Sequence, residues 1–145
     1  MNQSDDIGSD IGSDIGSDIE RGQHQHGDRP HGHESDESAG MVVLSELADA
    51  LIADLRHHPA GRTAKTILSG TVMRAVVIAL KEGTEMSEHD SPPAATVYLI
   101  RGKVTLRAGE REWPVYPGQL IPIPPQRHSV EAHADSAMLL TVALR

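Results

Sequence analysis

The chain has 145 residues, a formal net charge of −8, no cysteine, no phenylalanine, one tryptophan and two tyrosines. Ten acids and two arginines lie in residues 1–40, so the remaining 105 residues, with eleven acids and eleven bases, are neutral and lack the positive charge that attracts nucleic acid or anionic lipid. Without cysteine there is no disulfide or thiolate metal site, and without a long apolar run or a signal-like N-terminus we expect a cytoplasmic protein that does not enter the membrane.

Residues 1–40 have the composition of a disordered tail. Residues 6–19 repeat an Asp-Ile-Gly-Ser unit, and residues 20–40 are polar. Glycine and serine oppose a helix, and the few apolar groups do not offset the entropy of ordering. Two His-x-His pairs in the tail predict weak binding of metal ions, and their members are His24, His26, His31 and His33.

We predict that this tail is dispensable for folding, because the apolar pattern of the chain begins only at Met41. Deleting residues 1–40 should leave the melting temperature nearly unchanged. A fall of several degrees, on the order of 1 kcal/mol for a domain of this size, would show instead that the tail packs on the folded part.

The folded part is predicted to start with an amphipathic helix over about residues 45–57. Ser45 is a candidate N-cap, and leucines recur at every fourth position from Leu47 to Leu55, with charged residues on the other face. Pro59 then stops the helix.

From about residue 66 the apolar period changes to two, which is typical of strands. Turns rich in glycine and proline separate eight short candidate strands, so the sequence predicts an all-β domain, either a sandwich or a jelly roll. The predicted strands are 66–68, 72–80, 96–100, 103–107, 111–115, 120–123, 128–132 and 137–144.

Two segments of the β region contain the candidate site residues. The first covers residues 83–102, in which His89 and Ser91 share a strand face because side chains alternate along a strand. The second covers residues 118–128 and ends in His128, which shares its face with apolar neighbours. We predict that these side chains face one cavity. The candidate cavity residues are His89, Ser91, Gln126 and His128.

These segments resemble the two motifs of cupins, the RmlC-like jelly-roll class, and more narrowly a group of short, uncharacterised bacterial cupin-domain proteins. In that group the first motif reads His-x-x-Pro, then Ala-Thr and a strand that ends in glycine. The second reads Ile-Pro-Pro, two residues and His-Ser. Here the matches are His89 to Pro92, Ala95-Thr96, Gly102, and Ile123 to Ser129. The resemblance covers about residues 62–144. It implies a cupin-type antiparallel β-barrel over about 66–144, within a domain of residues 41–145.

The resemblance also implies a metal site from which ligands have been lost. Cupins usually place two histidines and a glutamate in the first motif and a third histidine in the second. Here Ser91 and Ala95 stand where the second histidine and the glutamate would be, so only His89 and His128 remain. Two imidazoles fall short of the three protein ligands of catalytic zinc or non-haem iron.

We therefore expect a protein that binds a small molecule in the barrel, as a sensing or accessory module without a complete cupin metal site. The alternative is a metal-dependent enzyme, an oxygenase or isomerase, with Fe, Mn, Ni or Zn on His89 and His128. A further alternative is metal buffering by the histidine-rich tail.

The chain is expected to form a homodimer, since small cupins commonly pair through a sheet. The strand over residues 137–144 is apolar on both faces, which indicates that its second face meets another layer. That layer is either a second copy of the chain or the leading helix.

Overall fold

A computed structural model describes residues 40–89 and 92–144, without the side chains of Glu88 and His89. The predictions made for the tail and its four histidines lie outside these residues, as does the prediction for Ser91.

Antiparallel strands in two sheets make up most of the described chain. A five-stranded sheet has the order β1-β2-β9-β4-β7, and a four-stranded sheet has the order β3-β8-β5-β6. This arrangement confirms the predicted all-β jelly roll. The strands are β1 Arg62–Ser69, β2 Met73–Leu80, β3 Glu85–His89, β4 Ala95–Arg101, β5 Val104–Ala108, β6 Arg111–Val115, β7 Leu120–Pro122, β8 His128–Ala132 and β9 Ser136–Ala143.

The core lies between the inner faces of the two sheets. Along β8, buried and half-buried residues alternate, as expected for a strand with one face in the core and one near solvent. Trp113 is half-buried against this core, which otherwise consists of aliphatic residues and methionine. The buried residues of this core are Val76, Ile78, Leu80, Met86, Val97, Leu99, Val104, Leu106, Val115, Val130, Ala132, Met138, Leu140 and Val142.

The predicted helix is present as α1, Leu44–Asp54, followed by a short 3-10 turn over Leu55–His57. The predicted N-cap was wrong: Val43 is the cap residue and no side chain caps the helix, so Ser45 lies within the first turn. The start is set by the amide of Leu47, which donates to the Val43 carbonyl at 3.0 Å.

Helix α1 packs on the outer face of the five-stranded sheet. Ala48 has no exposed surface and contacts a second apolar cluster with Val77, Ile100 and Ala137. Leu139 of β9 belongs to the same cluster, whereas Met138 faces the core. The leading helix is therefore one layer that covers the second apolar face of β9.

Two parts of the sheet were not predicted. Strand β3 was missed because its five residues, Glu85 to His89, include a single apolar side chain, Met86. Strand β1 begins at Arg62, four residues earlier than predicted, because the additional residues, Arg62 to Lys65, include a single apolar side chain, Ala64. No helix in residues 40–89 and 92–144 is long and apolar enough to cross a bilayer.

Candidate functional site

The backbone brings the two candidate histidines together. His89, at the end of β3, is the register partner of His128, the first residue of β8. This is the backbone arrangement that the predicted histidine pair requires. The structure does not describe the side chain of His89, so its position in a cavity shared with His128 remains a prediction.

His128 is a buried residue with a fixed ring. Only 1% of it is exposed, and its Nδ1 lies 2.9 Å from the backbone carbonyl of Gln126. A carbonyl oxygen only accepts, so Nδ1 must carry the proton and donate. In the neutral ring Nε2 is then the nitrogen with the lone pair, able to accept a hydrogen bond or to ligate a metal.

The Pro124-Pro125 segment supplies the local geometry for this contact. The amide of Gln126 donates to the Pro124 carbonyl at 2.8 Å, which closes a tight turn just before β8. The turn directs the Gln126 carbonyl at the ring of His128. The predicted site residue Gln126 thus acts through its backbone, while its side chain is exposed.

A cavity lies beside His128 between the two sheets. Its empty space is about 340 Å³ with its open mouth included, but only about 20 Å³ of this is wide enough for a water-sized molecule. The enclosed space therefore has room for about one water. Apart from His128 the lining is apolar: Met86, Pro92, Ala95, Val97, Ile123, Val130, Met138, Leu140 and Val142.

The exposure of the lining residues distinguishes an inner end from a mouth. The buried lining residues are Met86, Val97, His128, Val130, Met138, Leu140 and Val142. Pro92, Ala95 and Ile123 are half-buried and lie toward the mouth. Ala95, which stands where cupins carry glutamate, therefore contributes a methyl group to the wall. Met138 lies on the inward face of β9, a strand that the sequence predicted, whereas Met86 was missed together with its strand.

The described residues do not supply the cupin metal set. Among residues 40–89 and 92–144, taken without the side chains of 88 and 89, no three of His, Asp and Glu are placed to hold one metal ion. Ala95 has no donor atom at the glutamate position. His128 alone among the lining residues described has a nitrogen donor for a metal.

The strongest described charge cluster lies away from the cavity, on the outer face of the four-stranded sheet. Arg107 donates to Glu112 at 2.9 Å and to Glu131 at 2.6 Å. The hydrogen bond from Arg107 is the main cause of the lowered pKa of Glu131, and the bonds to Glu112 and then Glu131 raise the pKa of Arg107. The pKa of Glu131 is lower in the folded protein than in the unfolded protein. The contribution of this carboxylate to the free energy of unfolding is therefore fully present above the unfolded-state pKa, and it is lost as the pH falls through the folded-state pKa.

His133 belongs to this outer face as well. It is exposed just beyond β8, and its Nε2 lies 2.7 Å from the hydroxyl of Thr105. The strand alternation therefore separates His128 from His133, one inside the barrel and one outside.

No family model matches the chain, and no curated protein matches it. Solved structures do. A conserved protein of unknown function from Streptococcus pyogenes is 25% identical, with a TM-score of 0.56 over 63% of this chain and 85% of that one. A cupin superfamily protein from Desulfitobacterium hafniense is 10% identical, with a TM-score of 0.55 over 58% and 78%.

An RmlC-like cupin protein from Desulfovibrio desulfuricans is also similar, at 20% identity and a TM-score of 0.51 over 57% of this chain and 82% of that one. These likenesses establish the fold, and they agree with the two sheets and with the motifs around His89 and His128. The chain therefore has the fold of RmlC-like cupins, an antiparallel jelly roll.

Proposed function

We propose that the barrel binds a small, uncharged and largely apolar molecule, with His128 as its polar contact. The observation that supports this proposal is a buried imidazole, held by the Gln126 carbonyl, in the wall of an otherwise apolar cavity. Small-molecule sites usually combine an apolar lining with a few fixed polar groups that orient the ligand.

The character of the wall limits the ligand class. No described lining residue carries a permanent charge. A charged ligand would lose its hydration without an ionic partner from these residues, which is costly. A neutral ligand with one hydroxyl or carbonyl would place its polar atom in the narrow part beside His128 and its apolar part in the wider, open part of the cavity. In the narrow cavity that hydrogen bond is stronger than in water.

Replacing His128 by alanine, either alone or together with His89→Ala, should abolish ligand-induced stabilisation and leave the fold intact. The probes are small neutral alcohols and phenols, cyclohexanol and phenol among them, titrated in a thermal melt. A bound probe at ten times its dissociation constant stabilises the wild type by about 1.4 kcal/mol. His57→Ala, an exposed histidine on the helical segment, is the control and should keep the full shift. Equal shifts in wild type and the His128 variant would contradict the proposal.

A metal-dependent cupin enzyme is the second candidate. Two observations favour it: the register pairing of His89 with His128, and the bond from Nδ1 to a backbone carbonyl, which is the contact that metal-ligating histidines commonly make. One of the similar structures, KdgF from Halomonas sp., is 18% identical and shares the fold. Elemental analysis of the full-length protein and of the tail-deleted protein separates the candidates. About one Fe, Mn, Ni or Zn per chain, lost in the His89→Ala/His128→Ala protein, would favour the enzyme. Metal that leaves with residues 1–40 would favour buffering by the tail histidines.

We further propose that the protein is a homodimer. Several apolar side chains on the β1–β2 part of the five-stranded sheet remain exposed, among them Leu68, Val72 and Met73 at 43%, 60% and 42%. Grouped apolar surface of this kind is typical of an interface between proteins. Light scattering at micromolar concentration should give twice the chain mass of 15.6 kDa, and a monomeric mass would reject the dimer.

A further inference from the structure

Helix α1 covers only one half of the outer face of the five-stranded sheet. The apolar cluster under α1 includes Val77 and Leu139 but not Ala75 or Ala143, which lie further along the same two strands. The residues of the remaining half are called the uncovered face: Leu68, Met73, Ala75, Thr96, Thr141 and Ala143. We propose that the uncovered face is the two-fold interface on which a second copy of the chain docks. The proposal rests on the homodimer proposed above and adds its contact surface.

Strand register places the uncovered face on the outside of the barrel. Val142 faces the core, so Thr141 and Ala143 on either side of it point outward. Thr141 opposes Ala75 of β2 and Thr96 of β4, which therefore share its face. Because β9 is the central strand of the five, Thr141 lies near the middle of this surface.

Apolar side chains extend the uncovered face toward the β1–β2 turn. Leu68 and Met73 continue its rows on β1 and β2, and both are exposed. Val72 and Leu144 are exposed beside them, joined by a hydrogen bond of 2.8 Å from the Leu144 amide to the Val72 carbonyl. Four large apolar side chains thus border one surface, as at sites of contact between proteins.

The other sheet shows how a solvated face is built in this chain. Its outer face carries the ion pairs of Arg107 with Glu112 and Glu131. The uncovered face, in contrast, contains no charged side chain among its six residues. A sheet face in contact with water usually alternates toward polar and charged residues, so this composition indicates that another protein layer covers it.

The absence of charge favours a second copy as that layer. A two-fold contact is made by the same surface on both subunits, so a charged residue near its axis would meet its own like charge. The uncovered face avoids this repulsion. A partner of different sequence would instead be selected by complementary charge, and the six residues offer none.

The step formed by α1 has the height that such a dimer requires. A helix with its side chains is about 10–12 Å thick, and two sheets that pack face to face lie about 10 Å apart. When two copies stack their uncovered faces with antiparallel strands, each α1 therefore lies in the layer of the partner's sheet, beside its end. The uncovered half and the helix-covered half thus complement a second copy of themselves.

The interface can be tested by cross-linking, because the chain has no cysteine of its own. In Thr141→Cys the new thiols lie near the two-fold axis, so a short bismaleimide should link the chains into dimers of twice 15.6 kDa. Ser129→Cys is the matched control, since Ser129 is also half-buried but lies on the outer face of the four-stranded sheet. It should stay unlinked.

A charge at the same position should separate the subunits. Thr141→Glu places two carboxylates near the axis and should raise the dissociation constant of the dimer by about 100-fold or more, since opposed like charges cost several kcal/mol. Ser129→Glu should keep the wild-type constant. Light scattering over a dilution series measures both, and a thermal melt checks that both variants are folded.

The possible results distinguish this interface from the homodimer itself. If the wild-type protein is a dimer while Thr141→Cys stays unlinked and Thr141→Glu still dimerises, the interface is wrong and the homodimer stands. A monomeric wild-type protein would overturn both. A monomer whose Thr141→Cys thiol reacts with maleimide only after residues 1–40 are deleted would assign the uncovered face to the tail and overturn the proposal.

Discussion

Replacing Gly102 by alanine is expected to destabilise the domain by about 3–5 kcal/mol, because it combines backbone strain with a collision. Gly102 has a φ of +88°, and a Cβ atom there would lie 2.6 Å from the Asp135 carbonyl oxygen and 2.7 Å from the Ser136 Cα, and against the Ser136 hydroxyl. These atoms have little freedom to move, since Ser136 is 1% exposed and its hydroxyl accepts from Lys103 and donates to Ala134.

Gly118 provides the control for this prediction. It has the same φ of +88°, but a Cβ atom there would meet nothing within 4 Å. Gly118→Ala should therefore cost only the left-handed strain, about 1–2 kcal/mol. Urea denaturation followed by the fluorescence of Trp113 measures both. If the two variants lose equal stability, the close approach of Gly102 to the β8–β9 turn is not what requires glycine there.

Replacing Ala48 by glutamine should have the second large effect, a loss of about 2–6 kcal/mol. Ala48 is fully buried where α1 meets Val77, Ile100 and Ala137. A glutamine there adds volume to a close-packed contact, at about 1–3 kcal/mol, and buries an amide without its hydrogen bonds, at about 1–3 kcal/mol more. Relief of the strain requires the helix to move away from the sheet, which would expose the outer apolar cluster.

Ala50→Gln is the matched control, because Ala50 lies on the exposed side of the same helix. Its cost should be a few tenths of a kcal/mol, the difference in helix propensity. Binding of a hydrophobic dye should rise in Ala48→Gln alone. Similar unfolding midpoints and dye binding in the two variants would contradict the packing of α1 on the sheet through Ala48.

Much of the barrel could be predicted from the sequence, because its strands alternate clearly. In β8 the inward residues His128, Val130 and Ala132 are all buried, as their parity predicted. His133, which has the opposite parity, is exposed outside the barrel. In β9 the two apolar faces indicated a second layer, and α1 forms one.

Other features have no sequence signal. Strand β3 contributes one apolar residue, Met86, and a single apolar side chain gives no period to detect. The Gln126 carbonyl that holds His128 is chemically the same as every other backbone carbonyl, so only the turn after Pro124 identifies it. The small inner volume of the cavity depends on how both sheets pack, and no single segment encodes it.

The central claim, that the barrel cavity is the ligand site, can be tested with the five methionines of the chain. In protein labelled with ¹³C at the methionine methyl groups, a titration with cyclohexanol or phenol is followed by NMR. Met86 and Met138 line the cavity, while Met41 and Met73 are exposed outside it. We predict that the Met86 and Met138 methyl signals shift in a saturable way, while the Met41 and Met73 signals stay in place. Shifts confined to Met41 and Met73, or none at all with either probe, would contradict the claim.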